Sequence, residues 1–237
     1  MQTNVQSAVL TELPELKNGE RFYCGAVSPI LLRENGKPKK VVFHLIIDES
    51  DRTQRLNQKF PGGRVEAVDY DEEMWNQNFH QQLKNAKYNS VEISIIENHF
   101  HNRKLTIFER TLVREVLTET GYIPMKWEFL TGEIQKENQT PGKEERDFYQ
   151  LFFHITELVE RTREEDAVFN SLGLCLVTDV RPDPEFQSLD TAVKNPRLSV
   201  ESEKIFQHGK LVRSHHAAVK AVISKLMQNR DYCLVMY

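Results

Sequence analysis

The sequence predicts an α/β fold, and three observations carry that expectation. Residues 40–48 hold Val41-Val-Phe-His-Leu-Ile-Ile47, a run of β-branched and large apolar side chains suited to a strand. Residues 106–120 place Phe108, Leu112, Val113, Val116 and Leu117 at helical spacing, and Gly121 follows as a stop. A third apolar face, with Ala218, Val219, Val222, Ile223, Leu226 and Met227, follows Ser214, a plausible N-cap. At 237 residues the chain suits one large domain, or a compact domain with an insertion. Its 39% hydrophobic and 28% charged residues are ordinary for a globular protein.

The elements follow in order. Residues 1–20 read as a poorly packed lead-in. Residues 22–33 and 40–48 are strand candidates joined across Glu34-Asn-Gly-Lys-Pro-Lys39, a turn-rich stretch that makes the pair a hairpin. Phe60-Pro61-Gly62-Gly63 then breaks regular structure and permits close backbone approach. From residue 71 to 87 the spacing of Trp75, Phe79, Leu83 and Ala86 predicts a helix, and the alternation of residues 91–95 predicts a half-buried strand. After the helix at 106–120, Pro124 bars its continuation. Residues 126–134, 148–156 and 172–178 are further strand candidates, with a polar loop at 135–147. The charged run 161–166 reads as a solvated face. The apolar ending, residues 232–237, is expected to pack on the domain or on a partner.

Glu115 and Glu119 lie four residues apart, so a helix brings their carboxylates onto one face. Two carboxylates at close range repel each other unless they share a cation, and hard oxygen donors suit Mg²⁺ or Mn²⁺. The same spacing is common on ordinary solvated helix faces, so it needs a companion signal.

That signal is the pairing of Phe60-Pro61-Gly62-Gly63-Arg64-Val65-Glu66 with Arg114-Glu115-Val116-Leu117-Thr118-Glu119-Thr120-Gly121-Tyr122, which together resemble the Nudix box. The resemblance implies an α/β/α sandwich with a mixed sheet, and a loop–helix–loop that binds metal. It implies that Gly63 opens the box, that Arg114 braces the loop, and that Glu115 and Glu119 are metal ligands and candidate catalytic groups. Gly62, Gly63, Arg64 and Arg114 become the expected substrate-binding residues. Metal-assisted hydrolysis of a phosphoanhydride follows, with bound cations polarising phosphate oxygens and lowering the pKa of a water. A carboxylate, Glu119 or one of Glu144 and Glu145 in the 135–147 loop, accepts its proton.

The box departs from the family pattern twice. An insertion of about 37 residues separates its halves, tolerable because the cost of loop closure grows only logarithmically. The insertion spans residues 67–105 of a single domain covering 1–237, and carries the expected helix and strand. The box's first acid is consequently open among Asp69, by spacing from Gly63, Thr106, by spacing from Arg114, and Glu66. Secondly, Thr118 stands where the family has a glutamate.

Other signals are weaker. His99 and His101 would share one face of an extended segment, yet no third ligand accompanies them. His215-His216 reads as a surface feature. Phe60, Tyr122 and Tyr149 suit stacking on a base or, more ordinarily, a core. Cys24, Cys175 and Cys233 form no close pair and suggest neither disulfides nor zinc. A net charge of -4 gives no general attraction to nucleic acid or anionic membranes. The expected ligand is a nucleoside-diphosphate-type small molecule, with nucleic acid confined to an RNA 5′ end and no membrane partner; a homodimer is compatible with the sequence. The N-terminus lacks a secretory signal, so a cytoplasmic location is expected.

Overall fold

A computed structural model describes residues 8–16, 19–34, 37–47, 58–137, 146–159, 174–179, 215–228 and 235–236. It combines strands and helices in a mixed α/β arrangement. Among the described residues ten strands run in chain order: β1 (Ala8–Leu10), β2 (Arg21–Val27), β3 (Pro29–Glu34), β4 (Lys37–Ile47), β5 (Gln58–Lys59), β6 (Gly62–Arg64), β7 (Ile123–Glu137), β8 (Arg146–Val159), β9 (Leu174–Asp179) and β10 (Val235–Met236). The helices are α1 (Ala67–Tyr70), α2 (Glu72–Asn85), α3 (Ser90–His101), α4 (Ile107–Thr120) and α5 (His216–Gln228).

The larger sheet has the order β1-β7-β8-β2-β6, and it is mixed because β2 runs parallel to β8 while the other neighbours on this path are antiparallel. β10 joins β8 at Glu157 and Leu158, just beyond the point where β2 leaves it at His154. The apolar ending thus packs on the domain, at least through Val235 and Met236. In the smaller sheet β3, β5 and β9 all pair with β4, and the β3–β4 hairpin joins Pro29 to Phe43 and Glu34 to Lys37.

Side-chain alternation gives the larger sheet two apolar faces. Phe22, Cys24 and Ala26 sit beside Tyr149, Leu151 and Phe153 on one face, under Phe108, Leu112 and Val116 of α4. Cys24 is fully buried there, and burial pushes its thiol pKa up, which makes it a packing residue. The opposite face carries Tyr23 and Phe152, against which His215 packs. On that same side Lys225 of α5 reaches Glu128 of β7 at 3.1 Å. Helices therefore lie on both faces of the sheet.

A second core joins α2 and α3 to the back of α4. Trp75, Phe79, Leu83, Ile93, Ile96 and Phe100 bury against Val113 and Leu117. Trp75 stacks on Phe79 at 4.8 Å, and its indole N–H donates to the Arg110 carbonyl at 3.0 Å. Helices α2 and α3 are thus a layer laid over α4.

Three expectations need correction. The stretch 91–95 is not a strand: it lies in α3, so the insertion is helix–helix rather than helix–strand. Asn89 caps the helix by accepting from the Val91 and Glu92 N–H groups, and Glu92 answers by accepting from the Asn89 N–H. Of the alternating trio only Ile93 is buried; Val91 and Ile95 are exposed. The lead-in is not wholly unpacked, since Ala8–Leu10 forms an edge strand on β7 and Leu10 touches the core. Finally, residues 22–33 do not form one strand. The chain changes sheets at Ser28, before Pro29, whose missing N–H cannot extend a ladder. Glu144, Glu145, residues 161–166 and Ser214 lie outside the described residues.

Candidate functional site

The site forms where the outer face of α4 meets β6 and the loop before it. Thr106 caps α4, accepting from the Glu109 N–H, while Glu109 accepts from the Thr106 N–H. Gly121 ends the helix in the left-handed region at φ 71° and donates to the Leu117 carbonyl. Between these caps, successive faces of α4 serve the sheet, the inserted helices and the site. Arg114, Glu115 and Glu119 occupy the last of these.

The Gly62-Gly63 segment is the edge strand beside β2, with Gly62 opposite Gly25 and Gly63 opposite Cys24. An added Cβ at Gly63 would collide with the Glu115 carboxylate, and one at Gly62 with the Cys24 carbonyl oxygen. Only glycine lets helix, strand and loop approach so closely. The Gly62 N–H donates to Glu119 Oε2 at 2.6 Å. Lys59 Nζ stands 3.2 Å from Glu119 Oε1 and donates to the Gly62 carbonyl at 3.3 Å.

From behind, the loop is fixed by its own backbone. The Ala26 N–H donates to the Pro61 carbonyl, and the Tyr23 hydroxyl to that of Phe60. The Phe60 N–H donates to His215 Nδ1 at 3.0 Å, and the two rings stack 5.5 Å apart within 3° of parallel. His215 is buried, which corrects the expectation of a surface histidine. Phe60 and Tyr149 are buried core residues as well.

Arg114 is the brace. Its Nε and Nη2 donate to the two oxygens of Asp69, each at 2.8 Å, in a fork-to-fork pair. Nη2 also donates to the Arg64 carbonyl at 2.9 Å, and Nη1 to Glu115 Oε1 at 2.6 Å. Asp69 is fully buried and additionally accepts from the Thr111 hydroxyl and the Glu66 N–H. Of the three positions open for the first acid, Asp69 therefore holds Arg114. Glu66 stands off at 3.6 Å, and Thr106 is a helix cap.

Electrostatics single out Glu115. Burial pushes its carboxyl up to about 7; Arg114 opposes the rise, while Glu119 and Glu66 add like-charge repulsion. A carboxyl group held so far above its ordinary range is poised to gain from a cation. The donor chemistry fits a hard divalent ion, with Glu115 and Glu119 as the residues that would hold it. Among the described residues no group of three or more His, Cys, Asp or Glu side chains is placed to hold a metal ion. Mg²⁺ is commonly held by one or two carboxylates, with waters and substrate phosphates completing its shell.

The remaining candidates are spread out. Thr118 is exposed and donates to the Arg114 carbonyl in its own helix, so it adds no acid. The Arg64 side chain is exposed, 6.0 Å over the Phe148 ring, and with Glu20, Arg21, Phe22, Val65 and Tyr70 lines a cavity of about 220 Å³. His99 and His101 sit in the last turn of α3, with His99 Nε2 3.3 Å from Arg103, so they do not share a strand face. Lys59 carries no sequence signal beyond its place before the loop. Among the described residues no helix is long and apolar enough to cross a membrane.

Compared with known proteins, the chain matches no family model, no curated protein and no solved structure.

Proposed function

We propose that the chain is a Nudix-type hydrolase that cleaves the pyrophosphate linkage of a nucleoside diphosphate joined to another moiety, with Mg²⁺ or Mn²⁺ as cofactor. One observation carries the reading. Two segments separated by the whole insertion meet so that Gly63 lies on the Glu115 carboxylate, Gly62 binds Glu119, and Arg114 ties Asp69 to the loop carbonyl of Arg64. That convergence supports the split signature as one working unit on a Nudix-like α/β/α sandwich.

Glu115 and Glu119 would hold the ion, which supplies charge neutralisation at the phosphates and a more acidic bound water. Arg114 orients Glu115, because its guanidinium is fixed on Asp69 and cannot swing away. The Gly62 N–H fixes one oxygen of Glu119. Proton acceptance falls to Glu119, Glu115, or Glu144 and Glu145. Arg64 and the cavity beside it are suited to the part of the substrate beyond the pyrophosphate.

A second reading, a nucleotide-binding or regulatory module without catalysis, is favoured by Thr118 in the place of an acid and by the ion pair already engaging Glu119. Hydrolysis of a panel including ADP-ribose, nucleotide sugars, dinucleotides and capped RNA, each with Mg²⁺, with Mn²⁺ and with EDTA, separates the two. Turnover of any member that stops with EDTA supports the enzyme. Ligand binding without turnover across the panel leaves the regulatory module.

A further inference from the structure

We propose that Lys59 is a built-in counter-ion that occupies the cation's place at Glu119, so that binding of a divalent ion and release of the Lys59 ammonium are one exchange. This rests on the reading of Glu115 and Glu119 as a cation site.

Both carboxylates of the site are engaged by groups of this chain. Glu115 Oε1 receives Arg114 Nη1, and Glu119 receives the Gly62 N–H on Oε2 and Lys59 Nζ on Oε1. The two cations differ in how firmly they are held. Arg114 is forked onto buried Asp69 and also bound to the Arg64 carbonyl, so it cannot leave without exposing a buried anion. Lys59 is a point charge on a flexible stem, bonded at Glu119 and at the Gly62 carbonyl. Its side chain is about one-fifth exposed, so water can receive it when it swings out.

Charge balance points the same way. Three carboxylates, Asp69, Glu115 and Glu119, facing one guanidinium and one ammonium carry one net negative charge together. A divalent ion added with Lys59 in place leaves one excess positive charge in a partly buried site, whereas one that displaces Lys59 leaves it balanced. The displaced ammonium remains tethered beside Gly62, placed to meet the negative charge that a pyrophosphate brings. Cation affinity is therefore lower than the two glutamates alone would give, and an anionic ligand that captures Lys59 raises it.

Mn²⁺ titration of the full chain, read by the electron paramagnetic resonance of the free ion, tests this without any turnover. Lys59→Met is expected to bind Mn²⁺ about three- to tenfold more tightly than the native chain, the range corresponding to loss of one competing, partly screened ion pair. Glu119→Gln is expected to bind it at least tenfold more weakly, as befits loss of a charged ligand. Lys59→Gln, which keeps a donor for the Gly62 carbonyl and drops only the charge, gives the same comparison should Lys59→Met not fold. A gain in affinity is not something that structural damage produces. Equal or weaker Mn²⁺ binding in both Lys59 variants overturns the exchange while leaving the cation site standing. Absence of Mn²⁺ binding in the native chain, or binding indifferent to Glu119→Gln, overturns the cation site and the exchange with it.

Discussion

Glu115 is the residue on which the proposed chemistry and the stability of this protein would pull against each other. Its folded pKa of about 7 lies above the ordinary 4.5, chiefly through burial. The folded protein therefore binds that proton more strongly than the unfolded chain does. The associated stability is complete below pH 4.5, declines as pH rises through the window from 4.5 to 7, and is gone above it. In EDTA, Glu115→Gln should flatten the decline between about pH 5 and 7 and melt higher than the native chain at pH 8. Thermal melts at several pH values check this, and an unchanged pH profile in the variant would contradict it. Added Mn²⁺ should stabilise the native chain more than the variant, which keeps only Glu119 of the carboxylate pair. Asp69 has the opposite character. Its anion is fully buried and matched by Arg114, Thr111 and a backbone N–H, so Asp69→Ala strands the Arg114 charge and should cost about 3–5 kcal/mol in denaturant unfolding. A loss below 1 kcal/mol would show that Arg114 is held by something else.

At the scale of elements, α4 is the organising piece, and what could be read of it in the sequence divides cleanly. Its apolar spacing, its end at Gly121 and its two glutamates on one face were all visible, because helix period and glycine stops are local signals. The identity of the bracing acid was not. Asp69 and Thr106 each satisfied a count along the chain, Glu66 stood as a third possibility, and only the fold of residues 67–105 brings Asp69 onto Arg114. α3 was misread for a related reason. Val91, Ile93 and Ile95 alternate as a strand would, whereas burial of Ile93, Ile96 and Phe100 follows the helical period and Asn89 with Glu92 forms a capping box. The break at Ser28 was legible in Pro29. The roles of Lys59 and His215 were not, since each depends on a contact distant in sequence or on a loop's exact path. The helical layer over α4 is more than a decoration: Arg110 donates to the Asp69 carbonyl and pairs with Glu72, so residues 69–72 are clamped one helical turn from Arg114. Trp75→Ala should therefore cost about 3–5 kcal/mol through its emptied aromatic site. It should also weaken Mn²⁺ binding, because it loosens the layer that carries Asp69. Measured stability loss with unaltered Mn²⁺ affinity would show that the layer only packs.

At the scale of the whole molecule, the described residues combine a mixed sheet carrying helices on both faces with a smaller sheet built on β4; one edge strand and one helix form the candidate site, and α2 and α3 back that helix. On the proposed reading, the net charge of -4 would leave phosphate recognition to a bound cation and to a few arginines and Lys59 rather than to a broad basic surface. The proposed substrate class follows from that economy of positive charge, and on the same reading the moiety beyond the pyrophosphate would meet the cavity around Arg64 and Tyr70. The central claim is that Glu119 works with a divalent cation to cleave a phosphoanhydride. The most direct measurement follows nucleoside monophosphate release from ADP-ribose and the other nucleoside diphosphate derivatives in Mn²⁺, comparing the native chain with Glu119→Gln. The account predicts turnover that EDTA abolishes and that Glu119→Gln lowers at least a hundredfold while the variant remains folded, the scale expected for removing a group that acts on the transition state. Turnover in the folded variant at the native rate would contradict the site, and no cation-dependent turnover on any of these compounds would contradict the activity itself.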